Sequence, residues 1–190
     1  MSRQVNSWLP PKRSWRSAAM PEILPLTFPP LPVPHREQAA GSDCLAACAA
    51  MVLEYLGRPV AYDRLLALLD IGPIGAPRRN ILRLSRLQFD VTYREATLAI
   101  LATYLRAGHP VIVFVDTGEL SYWSVTTNHA LVVIGLNREH VLVNDPAFAH
   151  APQRIVHAEF ELAWLNGDNT CAIIQGTSDQ AIDLQWLSVS

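Results

Sequence analysis

The residue best placed for nucleophilic chemistry is Cys44, at the start of an alanine-rich run. Apolar residues recur at helical spacing from position 43 to 56, and Gly57 ends the run. Ser42 or Asp43 is the predicted N-cap of this helix. A thiol in the first turn lies among unpaired N–H groups at the positive end of the helix dipole, and both effects favour the reactive thiolate. The alternative is that Cys44 is a small buried hydrophobic residue.

A base for this thiol is available at the head of an apolar strand. His129 is the one titratable residue in the run 129–135. The other histidines lie in turns or in irregular, polar stretches, at positions 35, 109, 140, 150 and 157. A lone histidine at a strand end is often structural. We interpret His129 as a general base because the sequence also offers Cys44 as a nucleophile.

A carboxylate follows the next predicted strand. Asp145 comes directly after the run 141–144 and before Pro146. If 129–136 and 141–145 form a hairpin, Asp145 is opposite residue 131 and diagonal to His129. Diagonal neighbours in an antiparallel pair are about 7–8 Å apart, which lets their side chains meet. Asn144 points to the other face of the sheet and is the reserve candidate for orienting the histidine.

These residue types would supply a thiolate nucleophile, an imidazole base and a carboxylate that fixes the ring. The mechanism also requires a donor for the oxyanion. Gln38 lies six positions before Cys44, and a turn containing Gly41 could fold its amide back toward the nucleophile. Together with the Cys44 backbone N–H, it would form a two-donor oxyanion hole.

The elements that must position these residues are helices first and antiparallel strands afterwards. We predict further helices at 62–69, 78–87, 97–106 and 159–165, and strands at 89–93, 111–115, 128–136, 141–144 and 171–175. This segregation along the chain indicates an α+β fold.

The chain divides into three predicted parts. Residues 1–34 are rich in proline, which removes backbone donors and favours an extended chain. They are predicted to be a flexible tail, or alternatively an arm packed on the domain, because they carry Trp8, Trp15 and several leucines. Residues 35–178 are the predicted domain, and 179–190 a C-terminal extension.

Composition excludes several classes of function. Half of the 190 residues are apolar and 17% are charged, which is typical of a globular domain. The net charge of −2 gives no attraction toward nucleic acid or an acidic membrane, so neither is an expected partner. No apolar stretch is long enough to span a membrane, and prolines interrupt the N-terminus where a signal peptide would be. We therefore expect a cytoplasmic protein; the sequence does not define its oligomeric state.

The cysteine count also bears on cofactors. Three cysteines cannot form a disulfide framework, and a reducing compartment is the simplest location. Cys48, one turn after Cys44, and Cys171, within an apolar strand, are both predicted to pack in the core. A metal site at Cys44 and Cys48 would need a second cluster of zinc-like spacing, and none follows. We expect no metal and no cofactor.

Taken together, these residues resemble the bacteriocin-processing, double-glycine leader peptidases of the papain-like superfamily. In that family a glutamine precedes the pattern Asp-Cys-Gly-x-Ala-Cys; here Gln38 precedes Asp-Cys-Leu-Ala-Ala-Cys at 43–48. The block 108–113 is similar to the strand before the catalytic histidine, and 129–135 to the histidine strand itself. Asp145-Pro146 is similar to the Asp-Pro that completes the triad.

The resemblance extends from about 38 to 175 and implies a papain-like fold, with N-terminal helices packed on a C-terminal antiparallel sheet. It implies a cysteine peptidase acting on a peptide or protein, with Cys44 as nucleophile, His129 as base, Asp145 orienting the histidine and Gln38 as oxyanion donor. These residues include no exporter or ATPase sequence, which is the pattern of the free-standing branch, so double-glycine cleavage is not implied. Two alternatives stay open: acyl or amide transfer on the same triad, and a peptidase-like domain that binds a peptide without cutting it.

Overall fold

The strands of the protein pair into one antiparallel sheet. The computed structural model describes residues 29–176. Within that range the strand order is β1-β6-β2-β3-β4-β5, and every neighbouring pair is antiparallel. The strands are Phe89–Glu95 (β1), Val111–Asp116 (β2), Asn128–Leu136 (β3), His140–Asn144 (β4), Gln153–Val156 (β5) and Thr170–Gly176 (β6).

Helices cover both faces of this sheet. The α-helices are Cys44–Tyr55 (α1), Tyr62–Leu69 (α2), Leu98–Arg106 (α3) and His157–Leu165 (α4), and 3₁₀ helices span Arg78–Leu87 and Thr117–Glu119. The first face packs against α1, α2 and the longer 3₁₀ helix, and the second against α3 and α4. The predicted arrangement of helices on an antiparallel sheet is confirmed, with the addition that the later helices lie on the opposite face.

The central strand β3 shows why the sequence reads as an unbroken apolar run. Alternate residues of a strand point to opposite faces. Ala130, Val132 and Ile134 enter the core under α1, whereas Leu131 and Val133 enter the core under α3 and α4. A strand buried on both faces has no polar alternation to display. None of the helices within residues 29–176 is long and apolar enough to cross a membrane.

The predicted elements are largely confirmed, and the differences have local causes. Thr97 caps α3 as expected, because its hydroxyl accepts from the Ile100 N–H at 3.4 Å. The segment 78–87 is a 3₁₀ helix, and its buried residues Ile81 and Leu84 are three apart, which matches three residues per turn. The short strand β5 was not predicted, since only Ile155 of its four residues is buried.

Only the end of the proline-rich segment falls within the described residues. There Leu31 N donates to Ile134 O at 2.8 Å, and Asn144 Nδ2 donates to Val33 O at 3.0 Å. Ile134 lies in a β-bulge, where the pairing of β3 with β4 shifts between Val133 and Gly135. Residues 29–34 are therefore packed on the sheet. The predicted tail or arm before them and the extension 179–190 lie outside the described residues, and their division from the domain stays a prediction.

A close backbone approach between β2 and the turn before β6 gives a test of the packing. A Cβ added at Gly167 would overlap the carbonyl oxygen of Phe114, whereas one added at Gly41 would meet no atom within 4 Å. We expect Gly167→Ala to lower the free energy of unfolding by about 3 kcal/mol or more, because the obstacle is backbone. Gly41→Ala should change it by less than about 1 kcal/mol. Urea unfolding of both variants measures the difference, and equal stabilities would contradict the packing described.

Candidate active site

Cys44 is the first residue of α1, as the sequence predicts. The preceding Asp43 does not cap the helix with its side chain. Its carboxylate accepts instead from the Ala40 N–H at 3.1 Å and from the Ser42 hydroxyl at 3.3 Å, within the turn before the helix. Because no side chain occupies them, the first N–H groups of α1 remain available to a negative charge at this end of the helix.

His129 and Asp145 meet as the predicted register requires. Val132 pairs with Asn144, so continuing the ladder by one residue puts Asp145 opposite Leu131 and diagonal to His129. His129 Nε2 lies 2.8 Å from Asp145 Oδ1, and both side chains are almost wholly buried. Since Nε2 is committed to the carboxylate, Nδ1 is the ring nitrogen available to Cys44.

Four donors surround the carboxylate of Asp145. Besides His129, the Ala147 N–H donates to Oδ1 at 2.9 Å, while Tyr122 Oη and Trp123 Nε1 donate to Oδ2 at 2.9 and 3.0 Å. The Trp123 ring also lies 4.9 Å from the His129 ring, centroid to centroid. Tyr122 and Trp123 were not predicted from the sequence, because they lie in an irregular stretch. The one feature of the sequence that could have indicated them is that two aromatic residues with hydrogen-bond donors stand side by side in a polar loop.

The charge states of this pair follow from their contacts. Burial lowers the pKa of His129, but the hydrogen bond to Asp145 and the neighbouring Cys44 more than offset it and raise the pKa to about 9. Burial raises the pKa of Asp145, but the hydrogen bond and charge of His129 hold it below its ordinary value. At neutral pH the site therefore holds an imidazolium beside a carboxylate, with the Cys44 sulfur next to it.

The two remaining polar residues of the prediction have other partners. Asn144 points to the opposite face and donates to Val33 O, so the hydrogen bond to His129 belongs to Asp145 rather than to the reserve candidate. The Gln38 side-chain amide donates to Ala40 O at 2.9 Å, within its own turn. Its backbone N–H donates to Pro146 O at 2.8 Å, which ties this turn to the residue after Asp145.

The other cysteines are in the core. Burial raises the pKa of Cys48 well above its ordinary value, and its thiol donates to Ala130 O at 3.3 Å. Burial likewise raises the pKa of Cys171 to about 11. Both are free thiols, as is Cys44. Of the three, Cys44 is the one exposed to a ligand, since Cys48 and Cys171 have no exposed surface.

Two cavities adjoin Cys44. The smaller has a volume of about 50 Å³ and is lined by Cys44, Leu45, Ala76, Arg78, Phe114, Asn128, His129 and Ala130. The larger, about 210 Å³, is lined by residues 41–42, 44–45, 73–76 and 127–128. Cys44, Leu45, Ala76 and Asn128 line both, so the two cavities adjoin each other at these residues. A bigger concavity of about 410 Å³, around Arg58, contains none of these residues.

Comparisons with known proteins agree with this fold. The sequence profile described as the Peptidase C39 family matches residues 33–168. A search of curated proteins finds no match. Because the family match spans most of the chain, the protein belongs to the Peptidase C39 family, which makes it a cysteine-type peptidase.

Several solved structures have the same fold. One is described as a C39-like peptidase from Bacillus anthracis (TM-score 0.65, 17% identity, 76% of this chain and 94% of that chain). Another is the peptidase domain of Streptococcus ComA, described as a bi-functional ABC transporter involved in a quorum sensing pathway (TM-score 0.63, 19% identity, 76% and 99%). A third is a double glycine motif protease from an AMS/PCAT transporter, in complex with its leader peptide (TM-score 0.63, 22% identity, 80% and 98%).

The contact between Tyr122 and Asp145 can be tested against a matched tyrosine. Burial and the charge of Asp145 raise the pKa of Tyr122, so its hydroxyl stays a donor. Tyr55 donates to a neutral acceptor, Gly108 O, at the same distance of 2.9 Å. We expect Tyr122→Phe to lower the free energy of unfolding at pH 7 by about 2 kcal/mol and Tyr55→Phe by about 1 kcal/mol, since bonds to charged groups are stronger.

The pH dependence of the two variants should also differ. The lowered pKa of Asp145 means that its carboxylate stabilises the fold above the pKa of about 4 in the unfolded chain, and this contribution is lost as pH falls. The cost of Tyr122→Phe should therefore shrink toward pH 3, while the cost of Tyr55→Phe stays constant. Urea unfolding at several pH values measures both, and a constant cost for Tyr122→Phe would refute a charged acceptor.

Proposed function

We propose that this peptidase hydrolyses peptide bonds through Cys44, His129 and Asp145. The observation that supports the proposal most directly is the position of Cys44 and His129 on one cavity, with the far side of the imidazole bonded to a buried carboxylate. A reactive thiolate needs a cationic partner, and the raised pKa of His129 supplies one at neutral pH. A domain that only binds peptides would have no use for this pair.

The reaction would proceed by two acyl transfers. The Cys44 thiolate attacks the scissile carbonyl carbon, forming a C–S bond and an oxyanion. His129 then gives its Nδ1 proton to the nitrogen of the leaving amine as the C–N bond breaks. Water attacks the resulting thioester, His129 takes a proton from that water, and the acid departs with regeneration of the thiolate. Asp145 keeps the ring oriented and stabilises its cationic form throughout.

The oxyanion would be stabilised at the start of α1. The Cys44 N–H and the helix dipole are directed at this position, and no side chain caps the helix. Gln38 is the proposed side-chain donor. Its amide nitrogen carries two hydrogens, and the bond to Ala40 O uses one of them. Two hydrogen bonds between Ala40 and Asp43 close the turn that joins Gln38 to the start of α1.

The substrate is proposed to be a peptide or protein. The larger cavity beside Cys44 is walled by residues 73–76, and Ile74 in that wall is fully exposed. An apolar side chain in the wall of this cavity suits contact with an apolar part of a polypeptide. The AMS/PCAT relative was crystallised with a leader peptide, which supports the same class of substrate. Cleavage after two glycines is not part of the proposal, because Leu45 stands on the cavity where relatives usually have glycine.

Site-specific alkylation tests the reactive pair without a known substrate. We expect iodoacetamide to modify Cys44 rapidly well below pH 8 in the wild type, and slowly in His129→Ala, because the imidazolium stabilises the thiolate. Mass spectrometry of the peptide containing Cys44 gives the rates. Cys48 is the internal control, since its thiol is buried and its pKa is raised. Ordinary, slow alkylation of Cys44 in both proteins would remove the basis of the mechanism.

Substitution of the nucleophile gives the corresponding test on a cleavable peptide. Cys44→Ala should abolish hydrolysis, whereas Cys48→Ala should retain it, because Cys48 touches only the core. Residual cleavage by Cys44→Ala at the wild-type rate would exclude Cys44 as nucleophile. Adding amines to the assay separates hydrolysis from transfer, since a transferase would form an amide product in proportion to amine concentration.

The pH profile of hydrolysis tests the role of Asp145. We expect kcat/KM to fall on the alkaline side with an apparent pKa of about 9, because His129 must hold a proton for the leaving amine. Asp145→Asn should move this limb to lower pH, since the hydrogen bond to Asp145 contributes most among the contacts that raise the pKa of His129. Asp70→Asn, which removes an exposed carboxylate paired with Arg83, should leave the limb in place. An alkaline limb that Asp145→Asn does not move would contradict the assigned role.

A further inference from the structure

The smaller cavity beside Cys44 has apolar residues and one arginine in its lining. Its apolar lining comes from Leu45, Ala76, Phe114 and Ala130, and its cation is Arg78. Within the described part of the chain, no acidic side chain lines this cavity or the larger one next to it. The positive charge of His129 is balanced by Asp145, so Arg78 is the cation of this cavity that can bind a further anion.

Arg78 is held rigidly in this lining. Its Nη2 donates to Asn128 Oδ1 at 2.7 Å, and its Nη1 donates to Gly167 O at 2.9 Å and to Asp168 Oδ2 at 3.3 Å. A guanidinium carries five N–H donors, so these three bonds leave two for a ligand. The side chain is a quarter exposed. A fixed guanidinium with free donors matches the geometry of a carboxylate and loses little entropy on binding one.

Among residues 29–176, the carboxylate paired with Arg78 is that of Asp168, and it is a weak competitor for a ligand. Asp168 is 80% exposed, and its bond to Arg78 is the longest of the three. Exposed ion pairs of this kind contribute little, so a carboxylate in the cavity could replace it. The volume of about 50 Å³ is more than the about 10–15 Å³ that one water needs, and it admits only a small group. A short side chain that ends in a carboxylate is such a group.

We propose that Arg78 is a specificity residue that binds a short acidic side chain of the substrate, carried by a residue flanking the scissile bond. This proposal rests on the proposed cysteine peptidase mechanism, because it places the acidic group on the cavity shared by Cys44 and His129. The ligand class is an aspartate-sized carboxylate in a polypeptide. Phe114 and Leu45 would contact its methylene, and the free donors of Arg78 would bind its oxygens.

Two alkylating reagents that differ only in charge give a direct test. Iodoacetate carries a carboxylate, and iodoacetamide is its neutral counterpart of the same size. The rate with iodoacetate divided by the rate with iodoacetamide, both at Cys44, reports whether the cavity favours the acid. The iodoacetamide rate alone reports whether the thiolate–imidazolium pair is intact. We expect Arg78→Gln to lower this ratio about tenfold or more, with the iodoacetamide rate little changed.

Two further variants separate a specific contact from a general loss of charge. Arg79→Gln removes the neighbouring arginine, whose guanidinium lies over the Tyr93 ring and lines neither cavity, and it should leave the ratio unchanged. Asp168→Asn removes the competing carboxylate and should raise the ratio. Acetate should also protect Cys44 from iodoacetamide in the wild type, and acetamide should not.

The outcomes distinguish this proposal from the mechanism beneath it. Fast reaction with iodoacetamide, together with a ratio that Arg78→Gln does not change or that Arg79→Gln lowers equally, overturns the proposal and leaves the mechanism standing. Slow reaction with iodoacetamide in the wild type overturns the mechanism itself. If Arg78→Gln does not fold, Asp168→Asn decides alone: a raised ratio supports the assignment, and an unchanged or lowered ratio overturns it.

Discussion

A carboxylate removed from water constrains much of this structure. Asp145 has no exposed surface, and an ionised group in such a position costs several kcal/mol unless it is paired and fully hydrogen-bonded. Its donors come from β3, from the loop before β3 and from the turn after β4. These three segments must converge on two oxygen atoms. Tyr122 and Trp123 thereby tie the loop 120–127 to Asp145.

Residues at the end of β4 make hydrogen bonds on both faces of the sheet. Successive residues of a strand point in opposite directions, so Asn144 faces the N-terminal segment while Asp145 faces the histidine. The same N-terminal segment then makes two more contacts with this turn. His35 Nε2 donates to Phe148 O at 2.8 Å, and Gln38 N donates to Pro146 O. The residues just before the nucleophile and the residues around the carboxylate are thus one bonded unit.

Much of the site could be predicted because its geometry follows from strand pairing. The apolar runs 128–136 and 141–144 predict a hairpin. The register that brings Asp145 to His129 also depends on the bulge between Val133 and Gly135, which shifts the pairing by one residue and has no signal in the apolar pattern. The start of α1 was equally clear, since alanine-rich helical spacing begins at Cys44. Fold class and helix order follow from the same two periodicities.

The contacts that could not be predicted depend on where irregular chain runs in space. Trp123 and Tyr122 have no periodic signal, and their role exists only because the loop 120–127 brings them to Asp145. Arg78 is one of four arginines in the segment 78–87, and nothing in its spacing distinguishes it from the others. Its place on the cavity depends on the turn at Gly167, which no local pattern connects to position 78. Side-chain hydrogen bonds across such distances in sequence have no spacing rule to reveal them.

The burial of α1 has a consequence for how such an enzyme can diverge. Nine consecutive residues, Leu45–Leu53, are buried, so this helix has no solvent-facing side along most of its length. A change in any of them disturbs the core on which the position of the thiol depends. Residues 73–76, which wall the larger cavity, and the exposed residues 124–127 form a rim that tolerates new side chains more readily. Lineages that acquire new substrates should therefore vary at the rim while the helix that carries the nucleophile stays nearly constant.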